Sequence, residues 1–493
     1  MSDSRLPPDG FRWVEPESAP RPGRSRRRWW IGAAITLVIA LVGAGVAIAL
    51  YRPFGGGGHG AEAAAPAPIG TPRDLLVSFS LQRQPVPGWQ LSGADIGLPA
   101  GANVGELFTT NGNKAYFLTV EGCDRKCLHP TGWLYGLETT TGARLFPPLA
   151  LPDFFGSSAD CYANGPSVAV CTTRVPEGSE RFLPPAGAWV IDLDRGAVTH
   201  HGPNTLNPRM SGGARLEAVG YKFGPAYLVA QVPGEGLHGV GPHAELTWFR
   251  PGSSETIFPA TWSPDVPQLT LAVQPPEGVD DDRGERVFSV VDGKDLTPAP
   301  PQGTRLEEAV VYAGGFAYQF DAGKVTGALM YDTTGRQVGR QQPERSYPAQ
   351  NAAMLTLAVA DAFQIYDAAG KLVASIPSRG LSKDFRTIGS KLFVRKEGSS
   401  NGSQAEWQAW DLLTGQRGAT CTMAFGSSYT GSDGTVVVTM REDPAPATYV
   451  AIDTTTCQTL WEMPGKIWIH KVGTGLIKVD RERAMVASLG APA

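Results

Sequence analysis

Long amphipathic helical patterns are missing from this sequence after residue 75, and only 18% of its 493 residues are charged. Glycine and proline are instead abundant, with 60 and 41 copies. A chain without a helical apolar period does not form a helical bundle, whereas short apolar segments between turn residues are typical of β-structure. We therefore expect an all-β fold beyond residue 75.

Charge is also absent from the segment between Ile31 and Leu50. A helix of twenty residues reaches about 30 Å, the thickness of a bilayer's hydrocarbon core. Trp29, Trp30 and Tyr51 flank the segment, as aromatic rings do at membrane interfaces. The pattern predicts one transmembrane helix over residues 29–52, and its length favours a retained anchor over a cleaved signal peptide.

Basic residues concentrate before this segment, which predicts its orientation. Seven arginines against four acids give residues 1–28 a net charge of +3, which leaves −7 for the rest of a chain whose total is −4. The positive-inside bias predicts a single-pass cell-membrane protein with a cytoplasmic tail over 1–28, a Gly/Ala/Pro linker over 53–74 and an extracytoplasmic domain over 75–493. The acidic balance of that domain argues against a nucleic-acid partner.

Six cysteines lie beyond the predicted membrane segment, and an even count in an oxidising compartment predicts disulfides. Six cysteines allow 15 pairings. Local pairing is the simplest arrangement, which gives Cys123–Cys127, Cys161–Cys171 and Cys421–Cys457.

The spacing of potential ligands does not favour a metal site. Cys123 and Cys127 are separated by three residues, have no second pair nearby, and His129 alone does not complete a four-ligand site. The acidic run 280–282 lacks the alternation of a calcium loop. Further histidines lie in Gly/Pro-rich segments without a fixed spacing, namely His200, His201, His238 and His243. We expect no metal and no cofactor.

A repeated unit organises the chain beyond the linker. It consists of an apolar, aromatic-rich strand, an acid, a tight turn with glycine and another short strand. Good copies are WLYGLETTTGARLF, AWVIDLDRGAVTH, ALMYDTTGRQVG, AFQIYDAAGKLVA, WQAWDLLTGQRG and YVAIDTTTCQTLW, and weaker copies are LTWFRPGSSETIF and FSVVDGKDL. A period of about 40–50 residues with several short strands is the signature of a β-propeller.

Each good copy has a carboxylate where its apolar strand ends. A carboxylate at this place accepts hydrogen bonds from the amides of its own turn. We therefore interpret these acids as structural turn residues rather than catalytic ones: Glu138, Asp192, Asp332, Asp367, Asp411 and Asp453.

The ends of the repeat array predict how the ring closes. Two strands precede the first copy, over 75–81 and 88–93, and two follow the last, over 475–479 and 484–489. A circular array pairs its ends, because open sheet edges invite aggregation. Eight units with a shared closure favour eight blades, and seven blades remain the alternative.

Insertions interrupt the early repeats over 123–129, 161–180, 200–210 and 234–245. Loops on a rigid scaffold are frequent binding elements. Whether these insertions form a binding site stays open at this point.

The copies WLYGLETTTGARLF, AWVIDLDRGAVTH, WQAWDLLTGQRG and YVAIDTTTCQTLW resemble the repeat of pyrroloquinoline-quinone-like (PQQ-like) β-propellers over residues 75–493. With a basic tail and one membrane helix, the arrangement is similar to actinobacterial envelope proteins. In fold, it resembles the propeller subunit of the outer-membrane protein assembly machinery. The resemblance implies a scaffold whose partners are envelope proteins or lipids.

Enzyme motifs of related propellers are missing. The sequence has no adjacent cysteines of a quinoprotein dehydrogenase and no C-x-x-C-H haem motif. We expect a non-catalytic, membrane-anchored binding module that acts in envelope assembly or in lipid or protein transport. The alternative is a hydrolase or lyase that uses the central cavity of the propeller.

Overall fold

The computed structural model describes residues 69–492, except 121–129, 158–159, 174–186, 204–205, 207–213, 222, 260–262, 278–283, 324–325, 342–345, 350, 401, 426–427 and 442–446. The predicted cytoplasmic tail, the membrane helix over 29–52, most of the linker and the pair Cys123–Cys127 lie outside these residues.

The described chain is a series of antiparallel sheets, which we number along the sequence. Sheet 1 contains β2 (Glu106–Asn111), β3 (Lys114–Val120), β4 (Thr131–Glu138) and β5 (Leu149–Pro152). Sheet 2 contains β6 (Cys161–Ala163), β7 (Val168–Thr172), β8 (Gly187–Asp192) and β9 (Ala197–Pro203). Sheet 3 contains β10 (Arg215–Gly220), β11 (Ala226–Val232), β12 (Gly236–Val240) and β13 (Leu246–Pro251).

Three sheets follow in the middle of the chain. Sheet 4 contains β14 (Leu271–Gln274) and β15 (Arg286–Ser289). Sheet 5 contains β16 (Arg305–Tyr312), β17 (Gly315–Asp321), β18 (Thr326–Asp332) and β19 (Gln337–Gln341). Sheet 6 contains β20 (Tyr347–Ala349), β21 (Leu355–Val359), β22 (Ala362–Tyr366) and β23 (Leu372–Pro377).

The last three sheets complete the array. Sheet 7 contains β24 (Leu381–Ile388), β25 (Lys391–Lys396), β26 (Glu406–Asp411) and β27 (Arg417–Thr422). Sheet 8 contains β28 (Tyr429–Ser432), β29 (Val436–Arg441), β30 (Thr448–Asp453) and β31 (Thr459–Pro464). Sheet 9 contains β32 (Trp468–Val472), β33 (Gly475–Asp480), β34 (Met485–Gly490) and β1 (Val86–Ser92).

Apolar clusters show that the sheets form a closed ring. Nine buried clusters each join two consecutive sheets, and one of them joins sheet 9 to sheet 1 through side chains such as Val472 and Phe117. Burial of one such side chain stabilises the fold by about 1.5–3 kcal/mol. The core is therefore divided among the seams between blades, and the architecture is a β-propeller, as the repeats predicted.

The ring closes through its outermost strand in sheet 9. β1 pairs antiparallel with β34, from Val86 opposite Gly490 to Ser92 opposite Met485. This confirms that the predicted strand over 88–93 completes the final sheet. The predicted strand over 75–81 is wrong, because Arg73–Leu75 is a 3-10 turn and the chain after it is irregular.

The number of complete blades agrees with the favoured count of eight, since eight sheets have four strands. Sheet 4 is a ninth, reduced unit. Isolated bridges extend it by one residue pair on each side, Ile257 with Val273 and Phe288 with Asp295. The weak copy FSVVDGKDL lies in this reduced unit. Its repeat pattern is weak because a short sheet needs fewer apolar residues.

Helix is scarce in the described chain and does not support the predicted membrane location. The α-helix found there is α1 (Gly93–Ile96), and no described helix is long and apolar enough to cross a bilayer. The prediction of a single-pass cell-membrane protein is contradicted by this finding and is wrong for the described structure.

Two of the predicted insertions are largely regular blade structure. Cys161–Ala163 and Val168–Thr172 are the first two strands of sheet 2, and Gly236–Val240 is the third strand of sheet 3. Glycine and histidine interrupt the apolar pattern of Gly236–Val240 and obscured that strand. Parts of the other predicted insertions lie outside the described residues.

Candidate functional site

The first strands of the sheets surround the axis of the ring. β2 lies beside β6, β16 beside β20 and β28 beside β32, with Cα atoms within 8 Å of each other. In most sheets a short turn joins the first two strands. Two connections, the segment after β10 and the segment before β14, contact residues of sheets that are not their neighbours.

Asp265 belongs to the segment before β14 and is 1% exposed. Its Oδ2 accepts a hydrogen bond from the Tyr429 hydroxyl, and its Oδ1 lies 3.5 Å from Lys471 Nζ. Lys471 also donates to the Pro264 carbonyl at 3.3 Å. Because Tyr429 lies on sheet 8 and Lys471 on sheet 9, each four steps around the ring from sheet 4, this segment crosses the axis.

The connection after β10 also reaches sheets that are not adjacent to its own. The ring of Phe223 lies 5.3 Å from the ring of His470 on β32, and the Gly224 carbonyl accepts a hydrogen bond from Thr109 on β2 at 3.0 Å. Tyr221 lies in the same connection and stacks edge-on against Phe223, with 5.9 Å between ring centroids. The two connections therefore place side chains of the chain itself inside the ring.

We call Tyr221, Asp265, Tyr429, His470 and Lys471 the axial cluster, and burial dominates its electrostatics. Burial raises the pKa of Asp265 to about 6, against the opposing effects of Lys471 and the Tyr429 hydroxyl. Burial also lowers the pKa of Lys471, although the Asp265 carboxylate opposes this shift. Burial and the positive charge of Arg481 lower the pKa of His470 to about 4.

The phenols of the axial cluster follow the same rule. Burial, and then the Asp265 charge, hold the pKa of Tyr221 and that of Tyr429 above the usual range, so both keep their protons. Arg386 on β24 lies beside the cluster and donates to the Phe425 carbonyl at 3.1 Å. Burial lowers the pKa of this guanidinium too.

A carboxyl group with a pKa near 6 beside a lysine is suited to general acid–base chemistry. Such chemistry requires that a substrate reach the carboxylate. The side chains of Asp265 and Lys471 are 0% and 3% exposed, respectively. In this arrangement the axial cluster joins distant sheets, and both charged groups are buried.

The turn acids predicted from the sequence do not belong to the axial cluster. Each ends or follows the third strand of its sheet, and each accepts two backbone N–H groups of the adjoining turn at 2.8–3.1 Å. The Thr334 hydroxyl and the turn amides lower the pKa of Asp332. The acids lie in the turns of separate sheets, namely Glu138, Asp192, Asp332, Asp367, Asp411 and Asp453.

Two of the predicted disulfides are confirmed. Cys161–Cys171 joins neighbouring strands of sheet 2, and Cys421–Cys457 joins sheet 7 to the last turn of sheet 8. Cys457 has a φ of 61° and occupies the turn position that is glycine in most other copies, for example Gly196 in sheet 2. The predicted pair of Cys123 and Cys127 lies outside the described residues.

The histidines of sheets 2 and 3 make ring contacts rather than a ligand set. His201 stacks on Trp189 with 4.4 Å between centroids, and His238 stacks on Phe249 at 4.6 Å. His200 and His243 meet edge to face at 5.4 Å. Within the described ranges, no group of three or more His, Cys, Asp or Glu residues could hold a metal ion.

An open groove lies at the seam between sheets 8 and 9, where the ring closes. Its volume is about 360 Å³. Met463 and Leu489, 8% and 4% exposed, contribute apolar walls, and Lys466 and Lys478 are among the charged residues that line it. We call this the closing groove, because it borders both β31 and the sheet that contains β1.

Sequence reasoning missed the axial cluster and the closing groove. Asp265 occurs in the unremarkable run TWSPDVPQLT, and Lys471 is a single lysine in a strand. One signal was available: an unusually long segment separates β13 from β14, the first strand of sheet 4. A segment of this length does more than connect two strands, but its length does not identify the residues that it contacts.

Comparison with known proteins agrees with this architecture. The family model of the conjugation-associated 9-bladed β-propeller domain matches residues 61–492. An uncharacterized protein of Mycolicibacterium smegmatis (strain MKD8) is 31% identical over 500 residues, which cover 95% of this chain and 97% of that protein. The eight four-stranded sheets and the reduced sheet 4 together match the family's nine blades in number.

Solved structures with a similar fold are more distant. BamB from Moraxella catarrhalis is 10% identical with a TM-score of 0.38, over 83% of this chain and 100% of that chain. The computationally designed Ika8 protein is 12% identical with a TM-score of 0.34, over 69% of this chain and 98% of that chain.

The predicted resemblance is confirmed at the level of the β-propeller, and the match does not extend to the PQQ-like family. By the match over residues 61–492, this chain belongs to the family of conjugation-associated 9-bladed β-propeller domains.

Proposed function

We propose that this protein is a non-catalytic binding scaffold of a conjugation apparatus. Membership of a conjugation-associated family supports the process. The buried contacts of Asp265 with Tyr429 and Lys471 support the mode of action and are the observation that carries the proposal. Propeller ligands and substrates enter concave sites, and in this chain the axial position is occupied by its own Asp265 and Phe223.

The buried pair of Asp265 and Lys471 fits a scaffold better than an active site. A ring of many blades is stabilised where its opposite sides are joined, and this pair joins sheet 4 to sheet 9. Removing two charges from water costs several kcal/mol per ion, so the pair is chiefly a specific connection. We therefore propose that binding occurs on the outer surface of the propeller.

The alternative is a hydrolase or lyase that uses Asp265 and Lys471 for proton transfer. The raised pKa of Asp265 favours this alternative, since perturbed pKa values cluster at active sites. The negligible exposure of both side chains favours the scaffold. The two proposals differ in what happens when both charges are removed together.

A conjugation assay separates them. Donor cells that lack this chain should lose transfer of the conjugative element, and the wild-type chain should restore it. The double variant Asp265→Asn/Lys471→Met keeps the shape of both side chains without their charges, and a scaffold with this change should restore transfer equally well. Loss of transfer by the double variant, with an unchanged melting temperature and expression level, would instead support an enzyme.

A transfer frequency that does not change when the chain is deleted would overturn the role in conjugation. The wild-type chain supplied to the same deletion cells is the matched control, because it differs from the double variant only at Asp265 and Lys471.

A further inference from the structure

The closing groove combines apolar walls with cations. Met463 and Leu489 belong to the apolar cluster between sheets 8 and 9, and the partly buried Ile467 packs against it. The groove therefore exposes one side of a rigid core seam. When a side chain binds to a rigid apolar surface, little conformational entropy of that surface is lost.

Positive charges around the groove outnumber negative charges once the ion pair within the lining is set aside. Asp480 is engaged by Arg483, since its Oδ2 lies 3.9 Å from Arg483 Nε and its Oδ1 accepts the Arg483 N–H at 3.1 Å. Among the described residues, neither Lys466 nor Lys478 has a carboxylate within ion-pair distance. These two lysines face Glu482 as the remaining acid of the lining.

This local surplus of positive charge is unusual in a chain with a net charge of −4. Opposite charges across an interface steer association and select the partner. A basic partner is repelled by the unpaired lysines, and a nucleic acid, whose phosphates the lysines attract, gains little from the apolar walls. An acidic segment with apolar side chains is complementary to both features.

Prolines at the groove decide how a partner segment is held. Pro464 ends β31, and Pro85 and Pro87 lie at the start of β1. Proline has no backbone N–H, so these edges do not pair readily with an added strand. Recognition in the groove must therefore rest on side-chain contacts and charge, and not on continuation of a sheet.

We propose that the closing groove is the partner site of the scaffold and binds an extended acidic segment of another protein, with apolar side chains against Met463, Ile467 and Leu489 and carboxylates beside Lys466 and Lys478. The inference rests on the proposed scaffold function. It names the chemistry of the partner and the site where the partner binds.

The direct test is fluorescence anisotropy with three labelled octapeptides and the full chain. One peptide alternates Glu-Asp with Leu-Phe, the second replaces the acids by lysines, and the third replaces Leu-Phe by Ser-Asn. We expect binding of the first peptide alone, since it has both the charges and the apolar side chains. The variant Lys466→Glu/Lys478→Glu should weaken binding at least about tenfold, which corresponds to about 1.4 kcal/mol.

The matched control is Lys294→Glu/Lys371→Glu, which changes the net charge equally at exposed lysines in the turns of sheets 4 and 6. This variant should bind the first peptide as the wild type does. Equal binding by both variants, equal binding of the acidic Ser-Asn peptide, or no binding at all would overturn the groove proposal. Self-association of the chain that the groove variant abolishes would also overturn it, because the occupant would then be a second copy.

Transfer assays keep this proposal separate from the function on which it rests. If deletion of the chain abolishes transfer and the groove variant restores it fully, the groove proposal fails while the scaffold stands. If deletion has no effect, the conjugation role fails, and the peptide measurements still decide what the groove binds.

Discussion

Charged residues have opposite environments at the axis and at the closing groove of this propeller. At the axis, Asp265 and Lys471 are buried, and each satisfies the other across the ring. At the groove, Lys466 is exposed on the rim of an apolar cleft and has no such partner among the described residues. Buried charge fixes the shape of the ring, whereas exposed unpaired charge is available to a partner.

The largest effect should come from breaking the axial pair on one side. Asp265→Ala leaves Lys471 buried without its carboxylate, and we expect the free energy of unfolding to fall by about 3–5 kcal/mol. Urea denaturation measures this loss. The double variant Asp265→Asn/Lys471→Met should recover most of it, since neutral side chains of similar shape replace both charges. A loss below about 1 kcal/mol for the single variant would show that the pair does not join the ring.

Loss of the phenol at the axis should have the next largest effect. Tyr429→Phe removes the hydroxyl that donates to Asp265 Oδ2, so a buried acceptor loses its hydrogen bond. We expect a loss of about 1–3 kcal/mol in the free energy of unfolding. The control is Tyr347→Phe, an exposed tyrosine, which should change stability by less than about 0.5 kcal/mol. Equal losses for the two variants would contradict the interpretation of the axis.

The pH dependence of stability should reveal two opposing groups at the axis. Asp265 has a folded pKa of about 6, above its ordinary value of 3.8, so its contribution falls as pH rises from about 4 to 6. His470 has a folded pKa of about 4, below its ordinary value of 6.5, so its contribution rises with pH from about 4 to 6.5. The two slopes oppose each other in the wild type.

Single variants should expose each slope when chemical denaturation is repeated between pH 4 and 6.5. Relative to the wild type, Asp265→Asn should become more stable as pH rises, because the His470 contribution is no longer opposed. His470→Gln should show the reverse trend. Identical pH profiles for both variants and the wild type would mean that neither group is shifted by burial.

The smallest effect on stability is expected at the groove. Lys466→Ala should change the free energy of unfolding by less than about 0.5 kcal/mol, since it removes an exposed side chain without a paired acid. The same variant should weaken binding of the acidic Leu-Phe octapeptide. A large loss of stability would indicate that Lys466 is part of the core and that the contrast between groove and axis is incorrect.

Much of the architecture could be predicted because it is local in sequence. The acid and the glycine of each repeat lie within a few residues of each other, so a copy such as AWVIDLDRGAVTH predicts its own turn around Asp192. The turn then forms as expected, with the Asp192 carboxylate accepting two backbone N–H groups. Cys161–Cys171 was similarly accessible, because neighbouring strands of one hairpin bring the two residues together.

The axial contacts could not be predicted from residue patterns. Asp265 and Lys471 are separated by 206 positions in the chain, and no periodicity relates them. The membrane prediction failed for another reason: it rested on a segment outside the described residues, and no described helix supports the location. The PQQ-like resemblance rested on the repeated turns, and only its β-propeller part is confirmed.

By itself, the sequence determined the repeating blade, its acid-and-glycine turns, the closure of the ring by β1 and two of the disulfides. Those features depend on hydrogen bonds and apolar alternation over a few residues, or on a ring that has to pair its ends. Only the tertiary structure decided that Asp265 reaches Tyr429 and Lys471 across the axis, and that Lys466 stands unpaired beside an apolar groove. Such contacts depend on where distant blades lie in space, and water exclusion, rather than residue type, sets the charge behaviour of the residues that meet there.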